Sequence, residues 1–420
     1  MRVKTVQINW HDKQPIFSVD FDHSDASAHG YRFATGGGDN NVRIWRLRAD
    51  AQVEFLASLN RHTAPVNVVR FSPCAQRLAS AGDDGVVIIW RPADGAARLD
   101  GAAQLDGGDA QEAWRPAAML RGSLADICDL AWSPDGAYIA SASVDNTTRI
   151  WDARDSRCVQ VLADHTHYVQ GVAWDPCGQF LATQSSDRTL RVYRWAGGQA
   201  REMRAGADAA KLAATHASMG GGEGARQRVF LDDSLASFFR RPSVSPDGRL
   251  LAAAAGVQRG AAARNACLVW ARDRLCGEPV LRLGGHARPV VATRWAPCEF
   301  EPSRPGWLAG APRMMLAVAT QSCVAIYDTE QPARAVALAD RLHYAAITDL
   351  AWTRDGSHVV VVSIDGFASV VALDQPTPAR ALRRPEPLPE PLPAPARAPA
   401  APPASAGARK RLAPTLVSTL

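Results

Sequence analysis

Short apolar stretches of five or six residues recur along most of the chain and alternate with clusters of turn-forming residues. VNVVRF at 66–71, YIASAS at 138–143 and TTRIW at 147–151 are typical, and Gly, Asp, Asn and Pro separate them. Strands have this length and are bounded in this way, whereas a helix would need a longer run with a period near 3.6 residues. The pattern therefore predicts an all-β protein built from short strands and tight turns.

The stretches belong to an internal repeat. A His stands nine residues before an aromatic residue in four units, which pair His62 with Phe71, His165 with Trp174, His286 with Trp295 and His343 with Trp352. A turn such as SPDG follows the aromatic, and the units end near 45, 90, 151, 193, 270, 327 and 371. This spacing is typical of WD repeats, each a four-stranded propeller blade. We predict a seven-bladed β-propeller over residues 1–374.

The repeated polar residues suit one buried hydrogen-bond chain in each blade, because buried polar groups need partners. We assign this structural role to His62, Asp84, Trp90, Asp145, Trp151, His165, Asp187, His343 and Asp365. A recurring trio of His, Asp and Ser or Thr also resembles hydrolase chemistry. The trio repeats in the same register blade after blade, which favours the structural interpretation over a catalytic one.

Residues 2–8 form one more strand, predicted to complete the last blade and so remove its free sheet edge. Two insertions, about 92–118 and 196–230, are rich in Ala and Gly, and we predict disordered loops there. One hypothesis makes Phe238, Phe239, Arg240 and Arg241 a partner-binding edge, since aromatic residues with arginine are common interface anchors. Strand entry into blade five is the alternative.

Composition changes sharply after residue 374. Residues 375–404 are a Pro-rich segment that cannot build a core, and we predict an extended, disordered linker there. Residues 405–420 contain a basic cluster beside apolar residues. Seven basic and two acidic residues lie in 375–420, a surplus that equals the net charge of +5. The body is therefore neutral, which argues against direct sequence-specific DNA binding.

Neither a cofactor nor a catalytic or metal site is predicted. The eight Cys form no CxxC pair, and no P-loop, GxSxG or HExxH motif occurs. No apolar run is long enough to cross a membrane, and the N-terminus lacks the pattern of a signal peptide. We therefore expect a non-enzymatic protein of the cytosol or nucleus.

Several segments together resemble the WD-repeat middle subunit of chromatin assembly factor 1. They are TVQINWHDKQPIFSVDF (5–21), NNVRIW (40–45), RHTAPVNVVRFSP (61–73), SASVDNTTRIWD (141–152), HYVQGVAWDPCGQFLAT (167–183) and, most specifically, LDDSLASFFRRPSVSPDG (231–248). The resemblance implies a nuclear scaffold in a complex that assembles histones H3–H4 into nucleosomes during DNA replication and repair. Its implied partners are the large subunit, a small WD-repeat histone-binding subunit and the histones, bound directly or through partners.

The tail adds a second resemblance. ARKRLAPTL (408–416) is similar to the motif with which this family docks onto the anti-silencing H3–H4 chaperone. The residues implied are Arg409, Lys410, Arg411, Leu412, Ala413 and Pro414. A nuclear-import signal explains the basic triplet alone. Two further alternatives remain open for the whole chain: a replication-independent WD-repeat histone chaperone, and a substrate receptor of a ubiquitin ligase.

Overall fold

The computed structural model describes residues 1–24, 30–93, 111–123, 125–195, 212–213, 229–235, 237–258, 264–275, 277–303, 312–373 and 378–381. Within these ranges the regular secondary structure is β-strand, apart from one 3-10 helix at Arg272–Arg274. No helix in the described part is long and apolar enough to cross a membrane. The prediction of an all-β fold is confirmed.

Seven antiparallel sheets of four strands form the blades. The first three blades comprise β2 (Ile16–Phe21), β3 (Tyr31–Gly37), β4 (Val42–Leu47) and β5 (Val53–Leu59); β6 (Val66–Phe71), β7 (Leu78–Gly82), β8 (Val87–Pro92) and β9 (Trp114–Leu120); and β10 (Ile127–Trp132), β11 (Tyr138–Ser143), β12 (Thr148–Asp152) and β13 (Arg157–Leu162). The fourth comprises β14 (Val169–Trp174), β15 (Phe180–Ser185), β16 (Leu190–Arg194) and β17 (Leu212–Ala213).

Blades five and six continue the pattern with β18 (Ser243–Val244), β19 (Leu250–Gln258), β20 (Arg264–Ala271) and β21 (Leu281–His286), then β22 (Val290–Trp295), β24 (Met315–Thr320), β25 (Cys323–Asp328) and β26 (Ala335–Asp340). Blade seven has β27 (Ile347–Trp352), β28 (His358–Ser363) and β29 (Ala368–Ala372), and its fourth strand is β1 (Arg2–Val6). β1 pairs antiparallel with β29, Arg2 opposite Ala372. The N-terminal strand thus closes the ring.

The first strand of each blade contacts the first strands of its two neighbours, β2 also touching β27, so these strands line a central channel. The core lies between adjacent blades. One cluster joins blades six and seven through buried residues such as Leu350 and Trp352, and another joins blades one and two through Ile44 and Trp90. Each blade therefore depends on its neighbours to bury its apolar faces.

The insertions and the linker need correction at their edges. The loop predicted over 92–118 is too long, because Trp114–Leu120 pairs with β8 as the outer strand of blade two. Residues 94–110 lie outside the described residues, as does most of 196–230. Within the linker predicted at 375–404, β30 (Pro378–Ala381) pairs with β23 (Cys298–Phe300), a short strand that follows β22. The chain after 381 lies outside the described residues.

Candidate functional site

Blade two contains a complete polar chain. The Trp90 Nε1–H donates to Ser80 Oγ over 2.8 Å, Ser80 Oγ lies 2.7 Å from His62 Nε2, and His62 Nδ1 lies 2.7 Å from an Asp84 oxygen. A carboxylate only accepts, so the His62 ring donates through Nδ1. Burial alone raises the pKa of Asp84, but the hydrogen bond and charge of His62 outweigh it, and this pKa lies below its usual value.

Blade four keeps the histidine and the aspartate and substitutes the serine and the tryptophan. His165 Nδ1 lies 2.8 Å from Asp187, and its Nε2 lies 2.7 Å from the Thr183 hydroxyl. Burial opposes the charge on Asp187, yet the bonds from His165 and Thr189 hold its pKa well below the usual range. A tyrosine, Tyr193, occupies the position that a tryptophan holds in blade two.

Blade one has a complete set that the sequence analysis missed. His11 bonds Asp39 over 2.6 Å and Thr35 over 2.8 Å, and Trp45 donates to the same threonine hydroxyl over 2.8 Å. This His stands 28 residues before its aspartate, whereas the other pairs are separated by 22. Asp39 and Trp45 have the spacing that ends the other repeat units. Their presence indicates that this unit also contains a histidine, further upstream in the sequence.

Blade three keeps the indole end of the chain and replaces the histidine. Trp151 donates to Ser141 over 2.9 Å, while Asp145 accepts from Arg149 over 2.6 Å. Ser123, which stands where the other blades have His, bonds Ser143 over 3.2 Å. The arginine therefore supplies the positive partner that the carboxylate needs.

Blade seven has the opposite defect. His343 Nδ1 bonds Asp365 over 3.1 Å, but Val361 stands where blade two has its serine. His343 Nε2 consequently has no hydrogen-bond partner among the described residues. We expect this blade to gain less from its polar pair than blades one and two.

The trios cannot act as hydrolase sites in this arrangement. The hydroxyls of Thr35, Ser80 and Thr183 belong to fully buried residues, and they are engaged by the histidines, so a substrate has no access to them. Among the described residues there is also no group of three or more His, Cys, Asp or Glu that could hold a metal ion. The polar sets work as internal supports for the blades.

Arg241 closes the central channel. Its guanidinium donates to three backbone carbonyls on strands or loops of blades one, two and seven, at 2.7–3.1 Å: those of Phe17, Asn67 and Thr348. The ring of Phe239 lies against the guanidinium, with 4.1 Å from Cζ to the ring centroid. One side chain from the start of blade five thus ties together blades that are far apart in sequence.

Buried carboxylates balance this charge. Arg241 Nη1 lies 2.8 Å from Asp349, and Arg70 bridges Asp349 at 3.1 Å and Asp129 at 3.0 Å. Burial lowers the pKa of Arg241 to about 10, which leaves it charged at neutral pH. For Asp349 burial acts in the opposite sense, but the charges of Arg241, Arg70 and Arg294 outweigh it and hold the pKa well below its usual value.

The partner-binding hypothesis for 238–241 is wrong for three of its four residues. Phe239, Arg240 and Arg241 are buried within the propeller, and Arg240 donates to Gln170 over 2.7 Å and to the Leu231 carbonyl over 2.6 Å. Side chains that are fully engaged inside the fold cannot reach a partner. Only Phe238 is exposed, at 36 %.

A cavity of about 320 Å³, here called the funnel, opens at the end of the channel where the first strands finish. Residues at or near the C-terminal ends of five first strands contribute aromatic walls, which are Phe21, Phe71, Trp132, Trp174 and Trp295. The basic residues His23, Arg70 and Arg294 also line this funnel, and none of its described lining residues is acidic. The funnel therefore combines apolar surface with hydrogen-bond donors.

An exposed apolar cluster lies on blade seven. The backbone amides of Tyr344 and Phe367 both donate to Asp365 over 3.0 Å, which brings the two residues together beside Ile364. The side chains of Tyr344, Phe367 and Ile364 are 104 %, 39 % and 45 % exposed respectively. Contiguous exposed apolar residues are typical of protein-binding surfaces. The sequence analysis did not single out this surface.

The predicted tail motif, Arg409–Pro414, lies outside the described residues. The last described segment, β30, fixes where the tail starts. It lies beside β23, whose residues Cys298 and Phe300 pack into the core between blades six and seven. The tail therefore leaves the propeller at the end of the channel that carries the funnel.

A closed ring of seven four-stranded blades with His–Asp supports defines a WD-repeat β-propeller. The family model described as "CAF1B/HIR1 beta-propeller domain" matches residues 1–377. The chain belongs to this family, which includes the B subunits of chromatin assembly factor 1, as its resemblance predicted.

Individual relatives support this assignment. The chain is 39 % identical over 396 residues to the B subunit of chromatin assembly factor 1 from Gallus gallus, covering 89 % of this chain and 68 % of the relative. The corresponding protein from Saccharomyces cerevisiae is 34 % identical over 412 residues, covering 90 % and 87 %. Protein HIRA of Zea mays is 31 % identical over 386 residues, but these cover only 36 % of that relative.

Proposed function

We propose that this chain is a non-catalytic, nuclear subunit of a chromatin assembly complex that deposits histones H3–H4 on new DNA during replication and repair. The observation that carries the proposal is the similarity to chromatin assembly factor 1 over about nine-tenths of the chain, in both an animal and a yeast relative. The buried state of the His–Asp sets agrees with a scaffold, because it leaves these polar groups no substrate to act on.

A reconstituted assembly reaction tests this role. The chain is combined with the large subunit, the small WD-repeat subunit and H3–H4, and nucleosome formation on replicating plasmid is measured by supercoiling. We expect assembly to require the chain and to occur equally on replicated and repaired templates. Assembly to the same extent on plasmid that has not been replicated would favour the replication-independent chaperone instead. Ubiquitin transfer in the presence of a ligase adaptor would favour the substrate receptor of a ubiquitin ligase.

The exposed cluster of Tyr344, Ile364 and Phe367 is our candidate surface for the large subunit. A double substitution, Tyr344→Ser with Phe367→Ser, removes apolar area without touching a buried contact. We expect it to reduce co-purification with the large subunit, while removal of 382–420 leaves co-purification intact. Tyr168→Ser is a matched control, since Tyr168 is 45 % exposed on blade four. Equal recovery of the double variant and the control would exclude this surface.

For the tail we propose docking onto the anti-silencing H3–H4 chaperone. An extended segment adds to a sheet edge through its backbone, and alternate side chains fill pockets. Leu412 and Pro414 stand two apart and so face the same side. We expect peptide 405–420 to bind with a Kd of about 1 μM, and Leu412→Ala with Pro414→Ala to weaken binding at any salt concentration. A segment that served only as a nuclear-import signal would tolerate this double substitution. Unchanged binding of the substituted peptide to the chaperone would therefore refute the docking proposal.

A further inference from the structure

The funnel has bonding capacity that the described residues do not use. Arg294 Nε and Nη2 are buried yet make no hydrogen bond within the described part of the chain, and the nearest carboxylate oxygen, on Asp349, lies 3.5 Å from Nη2. Three tryptophans, Trp132, Trp174 and Trp295, line the same cavity as Arg294. The Arg294 side chain is 19 % exposed, so a ligand that offers an anionic acceptor together with flat apolar groups can contact both features.

The register of β30 directs the tail toward the funnel. Ala381, its last residue, pairs with Cys298, whereas Pro378 pairs with Phe300 at the far end. Cys298 follows Trp295 by three residues, so their Cα atoms are at most about 11 Å apart. Paired strand residues are about 5 Å apart. Ala381 is thus within roughly 16 Å of a residue that lines the funnel.

The segment that follows has the complementary chemistry. Residues 382–393 read LRRPEPLPEPLP, and Glu386 and Glu390 are the only acidic residues in 375–420. Proline-rich segments adopt an extended helix without a large ordering cost, and they dock in grooves lined by aromatic rings. At about 3.1 Å per residue, five residues from Ala381 to Glu386 span about 16 Å, which is enough to bridge that distance.

We propose that the funnel is a binding site for this chain's own proline-rich segment, residues 382–393, with prolines against the indoles and the Glu386 carboxylate on Arg294. Only modest intrinsic affinity is needed, because a short tether supplies an effective concentration in the millimolar range. A segment that binds with a millimolar Kd as a free peptide is then about half bound when tethered. A partner that competes for the funnel would release the tail. The proposal goes beyond the assembly role and does not depend on it.

Fluorine NMR of the full chain labelled with 5-fluorotryptophan tests the contact, with Trp132, Trp174 and Trp295 assigned by substitution. We expect Glu386→Gln with Glu390→Gln to shift these three resonances and to leave the indole of Trp90, which lies inside blade two, unchanged. Arg383→Gln with Arg384→Gln is the matched control, since it alters the same segment without removing a carboxylate. Identical spectra for the glutamate variant and the wild type would overturn the proposal.

Binding in trans gives a second readout that does not alter the propeller. The chain is shortened to 1–381, which keeps all seven blades, and synthetic peptide 382–396 is titrated into it. We expect the three funnel resonances to move toward their full-chain positions, and the peptide with both glutamates changed to Gln to bind about tenfold more weakly, as for the loss of one charge-assisted hydrogen bond. Equal affinity of the two peptides, or shifts outside the funnel, would show that the cavity serves another ligand.

Discussion

Replacement of Arg241 by Met tests the central ion-pair cluster most directly. The substitution removes the cation and keeps a linear side chain, so the channel stays filled. Arg241 and Asp349 are both fully buried at 2.8 Å, and breaking a buried pair costs about 3–5 kcal/mol because it leaves an uncompensated charge. Because Arg70 remains 3.1 Å from the same carboxylate, we expect the free energy of unfolding to fall by about 3 kcal/mol, the lower end of this range. Domains are commonly stable by only about 5–15 kcal/mol.

The stability that Arg241→Met loses should be larger at neutral pH than at acidic pH. The lowered pKa of Asp349 in the folded wild type contributes stability above the usual carboxyl pKa, and this contribution disappears as pH falls. Without Arg241 the folded-state pKa of Asp349 rises, because the principal opposing charge is gone. In the variant, protonation of Asp349 therefore removes the uncompensated buried charge at a higher pH than in the wild type. The stability difference between wild type and variant should therefore be largest at about pH 7 and smaller at about pH 4.5.

Urea unfolding at the two pH values, followed by tryptophan fluorescence, measures this difference. Arg240→Met is the matched control, since the hydrogen bonds of Arg240 go to a side-chain amide and to backbone carbonyls rather than to a carboxylate. We expect the control to lose stability by the same amount at both pH values. A loss for Arg241→Met below about 1 kcal/mol at pH 7, or one independent of pH, would refute the assignment of Arg241 as the counter-charge of Asp349.

Three further outcomes are expected. Deletion of 1–9 should lower the urea midpoint of the whole ring, because it removes β1 and exposes the edge of β29; an unchanged midpoint would contradict closure. His165→Ala should cost about 1–3 kcal/mol in urea unfolding, more than His286→Ala, whose ring pairs with the Tyr327 hydroxyl over 3.3 Å rather than with an aspartate. Burial lowers the pKa of His11, so the unfolded chain takes up this proton first and stability falls as pH drops below about 6.5. His11→Gln should flatten that dependence between about pH 7 and 5.5, and an unchanged slope would assign it to other groups.

The repeat spacing was sufficient to predict most of the fold. A constant interval of 22 residues between His and Asp, as for His62 and Asp84, reflects a constant number of residues in the intervening strands and turns, so one blade predicts the next. Prediction failed where a connection changed length. His11 stands six residues further from its aspartate than the other histidines do, 28 against 22, although its ring makes the same two hydrogen bonds.

What the sequence alone determined is thus local: strand lengths, turn positions, blade number and the family resemblance. Only the tertiary structure decided which side chains face inward at the centre. Phe239 and Arg241 have the composition of an interface anchor, and their burial follows from the carbonyls of blades one, two and seven that meet at the guanidinium when the ring closes. The funnel arises in the same way, since residues as distant in sequence as Phe21 and Trp295 share a cavity only after closure. Strand periodicity is set by neighbouring residues, but a channel is set by the meeting of all seven blades, and no short window of sequence contains that information.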